Sequence, residues 1–371
     1  MDCREEDKID KALREVTRKY CTGVMTVITS LSIENFRGIK GLKLENLGQV
    51  NVIAGKNNSG KSSVLEVLAL FLGATNGPRV FRETFQEILV WRGWYGEQTI
   101  MDIFYENAEE FMMMGKLEDG KNFELSMKKK RKQMGQSYDT INVGFKSVSK
   151  ENSKDIAPFN ADIPKRSFVD SGVIQRMLVN AKFSPEPDFE FLTPLTLRKF
   201  GYVESLYSYA YERKVSKKAV KVLKSAYPEI EGFSPLFKAN RWVLHVETKY
   251  GVYPYYLMGE GFKNAMIIAF LSALLKDGYL LIDSAEAFHH PKSLRIMAQT
   301  LIRGAKENNV QVFLTTHSLE LIDMLLEYGL DERIDGRIVH MKREGEKLSA
   351  KMESFERAKD LREALGLDLR G

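Results

Sequence analysis

The segment that most constrains this chain is GKNNSGKS, Gly55 to Ser62, which fits the pattern G-x-x-x-x-G-K-[ST]. Its setting matters as much as its letters. The β-type run VNVIAG ends at Gly55, and a helix with a wide apolar face (Val64, Leu65, Val67, Leu68, Phe71) starts near Lys61. A glycine at each end lets the backbone curl until several N–H groups face one point, and the helix N-terminus adds its positive dipole end. That arrangement is a phosphate cradle. Lys56, Asn57, Asn58, Ser59, Gly60 and Ser63 complete it around Gly55, with Lys61 reaching the β- and γ-phosphates and the Ser62 hydroxyl a ligand for Mg2+.

Two further segments have the chemistry such a cradle needs. In YLLIDSAEAFHHP, four apolar residues deliver Asp283 to a strand end. Alone it could simply cap a buried strand; downstream of a P-loop it reads as the aspartate that holds magnesium opposite Ser62. In FLTTHS, a strand delivers His317 to the sheet edge just before a helix capped by Ser318. A lone histidine can be structural, but one strand after Asp283 it reads as a sensor of the γ-phosphate.

The order of elements around these segments is α/β. Residues 1–24 form a charged leader, with Met25 an alternative start, and residues 25–165 a P-loop lobe with β strands, including a hairpin turning at Asp119-Gly120 and a short strand at 167–172 just beyond. Residues 166–240 contain a helical stretch, about 192–226, read as an inserted arm. From 241 to 371 strands and helices alternate as in a parallel sheet, closing with a hairpin at about 337–354 and a short helix. At 371 residues the chain is long enough for two lobes.

Composition excludes several classes. The two cysteines, Cys3 and Cys21, both lie in the leader, so neither a disulfide framework nor a four-cysteine zinc site is available. The N-terminus is charged where a signal peptide needs an apolar run, and the longest apolar stretch, Met266 to Leu275, is far short of a membrane span. A cytoplasmic protein without a membrane partner is expected. The net charge of +5 permits contact with nucleic acid without arguing for it. Two basic stretches, Lys128 to Lys132 following a strand at a hairpin end and Arg213 to Lys224 on a helix, read as solvated faces or as nucleic-acid patches. Trp91, Trp94 and Tyr95 read as a lobe interface or as a recognition loop.

Taken together, IENFRGIKGLKLENLGQVNVIAGKNNSGKSSVLEVL resembles the N-terminal lobe of ABC-type ATPases related to SMC proteins, RecF and the OLD (overcoming lysogenization defect) nucleases. LMGEGFKNAM, residues 257–266, is similar to their signature motif, and the terminal GLDLRG resembles the end of stand-alone OLD-like AAA ATPases. The resemblance implies a P-loop NTPase head with a mixed sheet, an antiparallel β subdomain and a small helical arm. It implies Mg2+-dependent ATP hydrolysis in a homodimer that closes on ATP, with Gly259, Glu260 and Gly261 capping the γ-phosphate held by the partner copy. The implied associates are DNA or RNA, or a separate nuclease or effector protein, since no Toprim nuclease follows the head. Two departures stand out. Ser284 occupies the position of the family's catalytic glutamate and cannot act as a base at neutral pH, leaving Glu286 as the substitute. Ser171-Gly172 stands where the Q-loop's Gln-Gly pair is usual. A slow, nucleotide-gated switch serving a partner is therefore the alternative to a working ATPase.

Overall fold

The computed structural model describes residues 27–93, 98–134, 136–147, 159–164, 188–196, 201–238, 240–287 and 291–365. The leader with Cys3, Cys21 and Met25, the strand expected at 167–172 with Ser171-Gly172, Trp94, Tyr95 and the terminal GLDLRG lie outside them. The chain divides into two compact units: residues 1–46, 66–175 and 343–348 form the first, and residues 47–65, 176–342 and 349–371 the second.

Alternating apolar residues build the first unit. Strands β1 (Ile28–Phe36) and β2 (Ile39–Glu45) form a hairpin that bears one buried face, Ile28, Leu31, Ile33 and Phe36 against Ile39, Leu42 and Leu44. Helices α1 (Lys61–Thr75) and α2 (Pro78–Trp91) follow strand β3 (Val50–Gly55), with a short helix α3 (Gln98–Met101) after them. Strands β4 (Glu110–Leu117), β5 (Asn122–Met134), β6 (Gln136–Ser147) and β7 (Phe159–Pro164) then extend the sheet in the order β2-β1-β4-β5-β6-β7. The expected turn between β4 and β5 is present: Asp119 Oδ1 accepts from Lys121 N at 3.1 Å and Gly120 N donates to Leu117 O at 3.0 Å. Phe71 of α1 packs edge-on to Phe123 and Phe145, whose rings stack at 5.8 Å. Glu66 of α1, fully buried, lies between Arg37 (3.0 Å) and Arg92 (2.5 Å). Burial lowers the Arg37 pKa, against the attraction of Glu66.

One expectation is corrected here. Lys128 to Lys132 do not follow a strand; they lie within β5, which pairs with β6 from Phe123↔Ser147 to Met134↔Gln136. The buried residues Phe145, Val143 and Ile141 of β6 pair with Leu125, Met127 and Lys129, so the apolar face of the ladder reaches into the basic stretch and holds it in the strand. Lys128 is bound to Glu110 at 3.0 Å, and Lys129 lies 4.9 Å from the Phe104 ring centre.

The second unit is layered. Its central sheet has the order β15-β14-β3-β13-β12-β8, using strands β8 (Phe189–Leu192), β12 (Tyr279–Ile282), β13 (Gln311–Thr316), β14 (Gly336–Glu344) and β15 (Lys347–Ser354), with β8, β12, β13, β3 and β14 mutually parallel. β3, β12 and β13 are buried throughout, as a parallel sheet covered by helices requires. The helical stretch read as an arm forms α4 (Tyr202–Glu212) and α5 (Ser216–Lys224), whose Leu206, Ala210, Ala219, Val222 and Leu223 join the core cluster beside α6 (Glu260–Leu274) and α7 (Pro291–Asn308). A three-stranded antiparallel sheet, β11-β10-β9, lies between α5 and α6 in the chain: β9 (Ile230–Lys238), β10 (Arg241–Thr248) and β11 (Gly251–Pro254). β9 carries Pro235, which a ladder tolerates on an edge strand such as this one. Helices α8 (Leu319–Asp331) and α9 (Phe355–Leu365) complete the unit.

Candidate nucleotide site

Register assembles the site. Thr316 of β13 pairs with Ala54 of β3, and Leu314 of β13 pairs with Ile282 of β12, so three parallel strands end together at one edge of the sheet. The loops leaving that edge are the P-loop after β3, Asp283 after β12 and His317 after β13. Open α/β sheets bind ligands at this carboxyl edge.

The P-loop turns tightly at Gly55, where a Cβ would fall 2.5 Å from Met341 O and 2.7 Å from Ser59 Oγ; no larger residue fits there. Asn58 and Gly60 take positive φ (63° and 82°), the local bends that gather backbone N–H groups into an anion nest. Lys56, Asn57 and Asn58 are exposed, Ser59 is buried, and Gly60 to Ser63 are half-buried at the start of α1. Lys61 Nζ folds back onto the loop, donating to Gly55 O (2.7 Å) and Lys56 O (2.8 Å). Its pKa is lowered by burial, a loss that Glu286 and Asp283 oppose through their charge.

Ser62 Oγ donates to Asp283 Oδ1 at 2.8 Å. The same oxygen accepts from Thr315 Oγ1 at 2.6 Å, and Thr315 Oγ1 in turn accepts from Ser284 N at 2.8 Å. That last bond holds Ser284 in the left-handed region at φ 54°. Glu286 is fixed from β13: Oε2 accepts from Thr316 Oγ1 (2.6 Å), while Oε1 meets His317 Nδ1 at 2.5 Å and His317 N at 3.4 Å. Ser318 caps α8, accepting from Leu321 N at 3.2 Å. Lys61, Ser62, Asp283, Glu286 and His317 thus come together. Thr315 and Thr316, the two hydroxyls that hold the carboxylates, were not singled out from sequence; both were legible as the polar pair ending an otherwise apolar strand.

The signature segment stands apart from this group. Gly259 is the extended N-cap of α6 with open space where a Cβ would be, and Glu260 is bound to Lys263 at 2.8 Å. Gly261 has a role within the chain itself, because a Cβ there would lie 2.3 Å from Ser293 Cβ on α7. Among the described residues, no hydrogen bond or ion pair links these three to the P-loop group.

The donor set suits the implied ligands. Ser62 and Asp283 present two hard oxygens at adjoining positions, the ligand type Mg2+ takes alongside phosphate oxygens and water. Ser59 Oγ is buried with no hydrogen-bond partner among the described residues, a state costing about 1–3 kcal/mol that an anion over the loop would relieve.

A parallel sheet bearing a P-loop, an aspartate and a histidine on one edge, in a chain with a separate antiparallel β unit, defines a P-loop NTPase of the ABC-type head class. Residues 27–183 and 203–322 match the AAA ATPase domain family, and the chain belongs to that family. It is 45% identical over 222 residues to an uncharacterized protein of Methanocaldococcus jannaschii, covering 59% of this chain and 95% of the relative. A second uncharacterized protein of that organism is 65% identical over 114 residues, 31% of this chain and all of the relative. An ATP/GTP phosphatase of Helicobacter pylori is 24% identical over 336 residues, covering 81% and 87%. In fold alone, the chain is similar to the Smc head domain with an extended coiled coil bound to the C-terminal domain of ScpA derived from Pyrococcus furiosus (TM-score 0.51, 11% identity, covering 92% and 100%). It is similar in the same way to an SmcHead bound to the C-winged helix domain of ScpA (TM-score 0.50, 12% identity, covering 89% and 99%). In fold the chain is thus a P-loop NTPase with the architecture of an ABC-type head. No helix among the described residues is long and apolar enough to cross a membrane.

Proposed function

We propose that this chain binds and hydrolyses Mg-ATP, closing as a homodimer on the nucleotide, and that it is an OLD-like head working in the cytoplasm with nucleic acid or with a nuclease or effector protein. The observation that carries the reading is the 2.8 Å contact between Ser62 and Asp283, made beside Lys61 at the end of a P-loop. Lys61 exchanges its two loop carbonyls for β- and γ-phosphate oxygens, a charge-assisted contact stronger than the ones it leaves. Ser62 and Asp283 would hold the metal, which when bound would neutralise charge on the transferring phosphoryl group. Glu286, clamped by Thr316 and His317, keeps a lone pair free on Oε2 and can take a proton from water there; His317 retains Nε2 for the phosphate. Gly259, Glu260 and Gly261 offer a helix N-terminus to the nucleotide of the partner copy.

The second reading, a nucleotide-gated switch with slow turnover, is favoured by Ser284, which places no carboxylate directly after Asp283. Phosphate release at saturating Mg-ATP, with and without chelator, tests the first reading. Release that stops on chelation supports it. Tight Mg-ATP binding without release would favour the switch, and absence of both would refute each.

A further inference from the structure

The exposed large apolar side chains of the second unit are concentrated on α4 and the three-stranded sheet. Tyr211 is 66% exposed, Phe237 58% and Trp242 65%. They share one surface. Tyr207 Oη donates to Phe233 O at 3.0 Å, and its ring lies 6.3 Å from the Phe233 ring and 6.1 Å from that of Tyr211. Phe233, Pro235 and Phe237 alternate onto the same face of β9, so Phe237 lies about 13 Å further along at ~3.3 Å per residue. There it pairs across strands with Trp242, the two rings meeting at 5.3 Å and 64°. Rings in contact with each other and with solvent are unusual on a lone soluble surface and mark a place of interaction.

The same surface is basic. Tyr211 is followed by exposed Glu212 and then by exposed Arg213 and Lys214, and α5 buries Ala219, Val222 and Leu223 while exposing Lys217, Lys218, Lys221 and Lys224, so cations outnumber the carboxylate along this stretch. α5 packs against β9, and Lys238 is exposed beside Phe237. Lys221 is bound to Glu307 at 3.3 Å; among the described residues Lys214, Lys217, Lys218 and Lys224 make no ion pair. This separates the patch from the lysines of β5, of which Lys128 holds Glu110 and Lys129 covers Phe104.

We propose that this surface binds single-stranded nucleic acid, with bases stacking on Tyr211, Phe237 and Trp242 and phosphates running along Arg213 to Lys224. Flat rings beside cations match a strand whose bases are free to stack and whose backbone is anionic. A duplex hides its base faces and would leave the rings unused. Sheets of similar size in RNA-binding modules stack two or three bases on such aromatics. The inference stands on the surface alone and not on the reading of the nucleotide site, so binding is measured without ATP.

The test is fluorescence anisotropy with labelled oligo(dT), oligo(U) and a mixed duplex, each about 20 nucleotides long, from about 50 to 200 mM salt. A single strand is expected to bind at least about tenfold tighter than the duplex. The tighter of oligo(dT) and oligo(U) identifies the natural class. Trp242→Ala should weaken binding by about 5- to 150-fold, the loss of one stacked base. Lys217→Glu with Lys218→Glu should reduce the log–log salt slope by about 0.7 for each lost contact. Unchanged melting and unchanged Mg-ATP binding in these surface variants separate a lost interface from a damaged fold. The proposal is overturned if single strand and duplex bind alike, if Trp242→Ala binds like the parent, or if polyglutamate of equal charge displaces the strand as well as another strand does, which would point to an acidic protein.

Discussion

Thr315→Val removes one oxygen and leaves the shape of the side chain nearly unchanged. Thr315 is 1% exposed and Asp283 3% exposed, so water has little access to whatever the hydroxyl leaves behind. Two bonds go: the 2.6 Å donation to Asp283 Oδ1 and the 2.8 Å acceptance from Ser284 N. A hydrogen bond to a charged group is worth about 1.5–3 kcal/mol, and an orphaned buried amide costs about 1–3 kcal/mol. Together these give a loss of about 2.5–6 kcal/mol, or a melting shift of about 5–24 °C at about 2–4 °C per kcal/mol for units of this size. Differential scanning fluorimetry of Thr315→Val, with Thr315→Ser as the variant that keeps the hydroxyl, reads the shift directly. Mg-ATP affinity should fall with it, because Asp283 loses the donor that aims it at Ser62. If the valine variant melts within about 2 °C of the parent and binds Mg-ATP equally well, the hydroxyl does not support Asp283 and the reasoning fails.

Ser284→Glu should raise single-turnover hydrolysis by about a hundred- to ten-thousand-fold, the usual worth of general-base help, and Glu286→Gln should lower the parent's rate; if neither rate moves, the base lies elsewhere. Gly259→Arg, at an open extended position, should leave melting unchanged and abolish ATP-dependent dimerisation in light scattering, and equal dimerisation would remove the signature from the interface. Gly261→Ala should instead destabilise the chain by about 1–3 kcal/mol by overpacking against Ser293, and a neutral result in thermal melting would contradict that contact. Glu66→Gln leaves Arg37 and Arg92 facing each other without their shared carboxylate and should cost about 3–5 kcal/mol by denaturant unfolding; a loss below about 1 kcal/mol would show the cluster to be inert.

The legible part of the site was local. Gly55 to Ser62 carry their own strand end, turn and helix start, Asp283 follows an uninterrupted apolar run, and His317 ends a strand just before a helix cap, so the residues announce their places without the fold. What escaped depends on neighbours distant in sequence. The hydroxyls of Thr315 and Thr316 gain meaning only because parallel register sets β13 between β3 and β12, next to Asp283 and Glu286. The close approach of Gly261 to Ser293 of the following helix is likewise visible only in the fold. β8, four residues long, and β9, interrupted by Pro235, are edge strands of their sheets, where ladder pairing rather than local pattern decides the outcome. Lys128 to Lys132 were misplaced for a related reason: their strand is sustained by β6, not by their own composition.

The central claim is that Lys61, Ser62 and Asp283 form a Mg-ATP site. Isothermal calorimetry of Mg-ATP into the parent and into Lys61→Ala tests it most directly. The account predicts saturable binding by the parent and a loss of about 10- to 150-fold in the variant, the worth of a hydrogen bond to a charged group, with the variant still folded by thermal melting. A folded Lys61→Ala that binds Mg-ATP as tightly as the parent would contradict it.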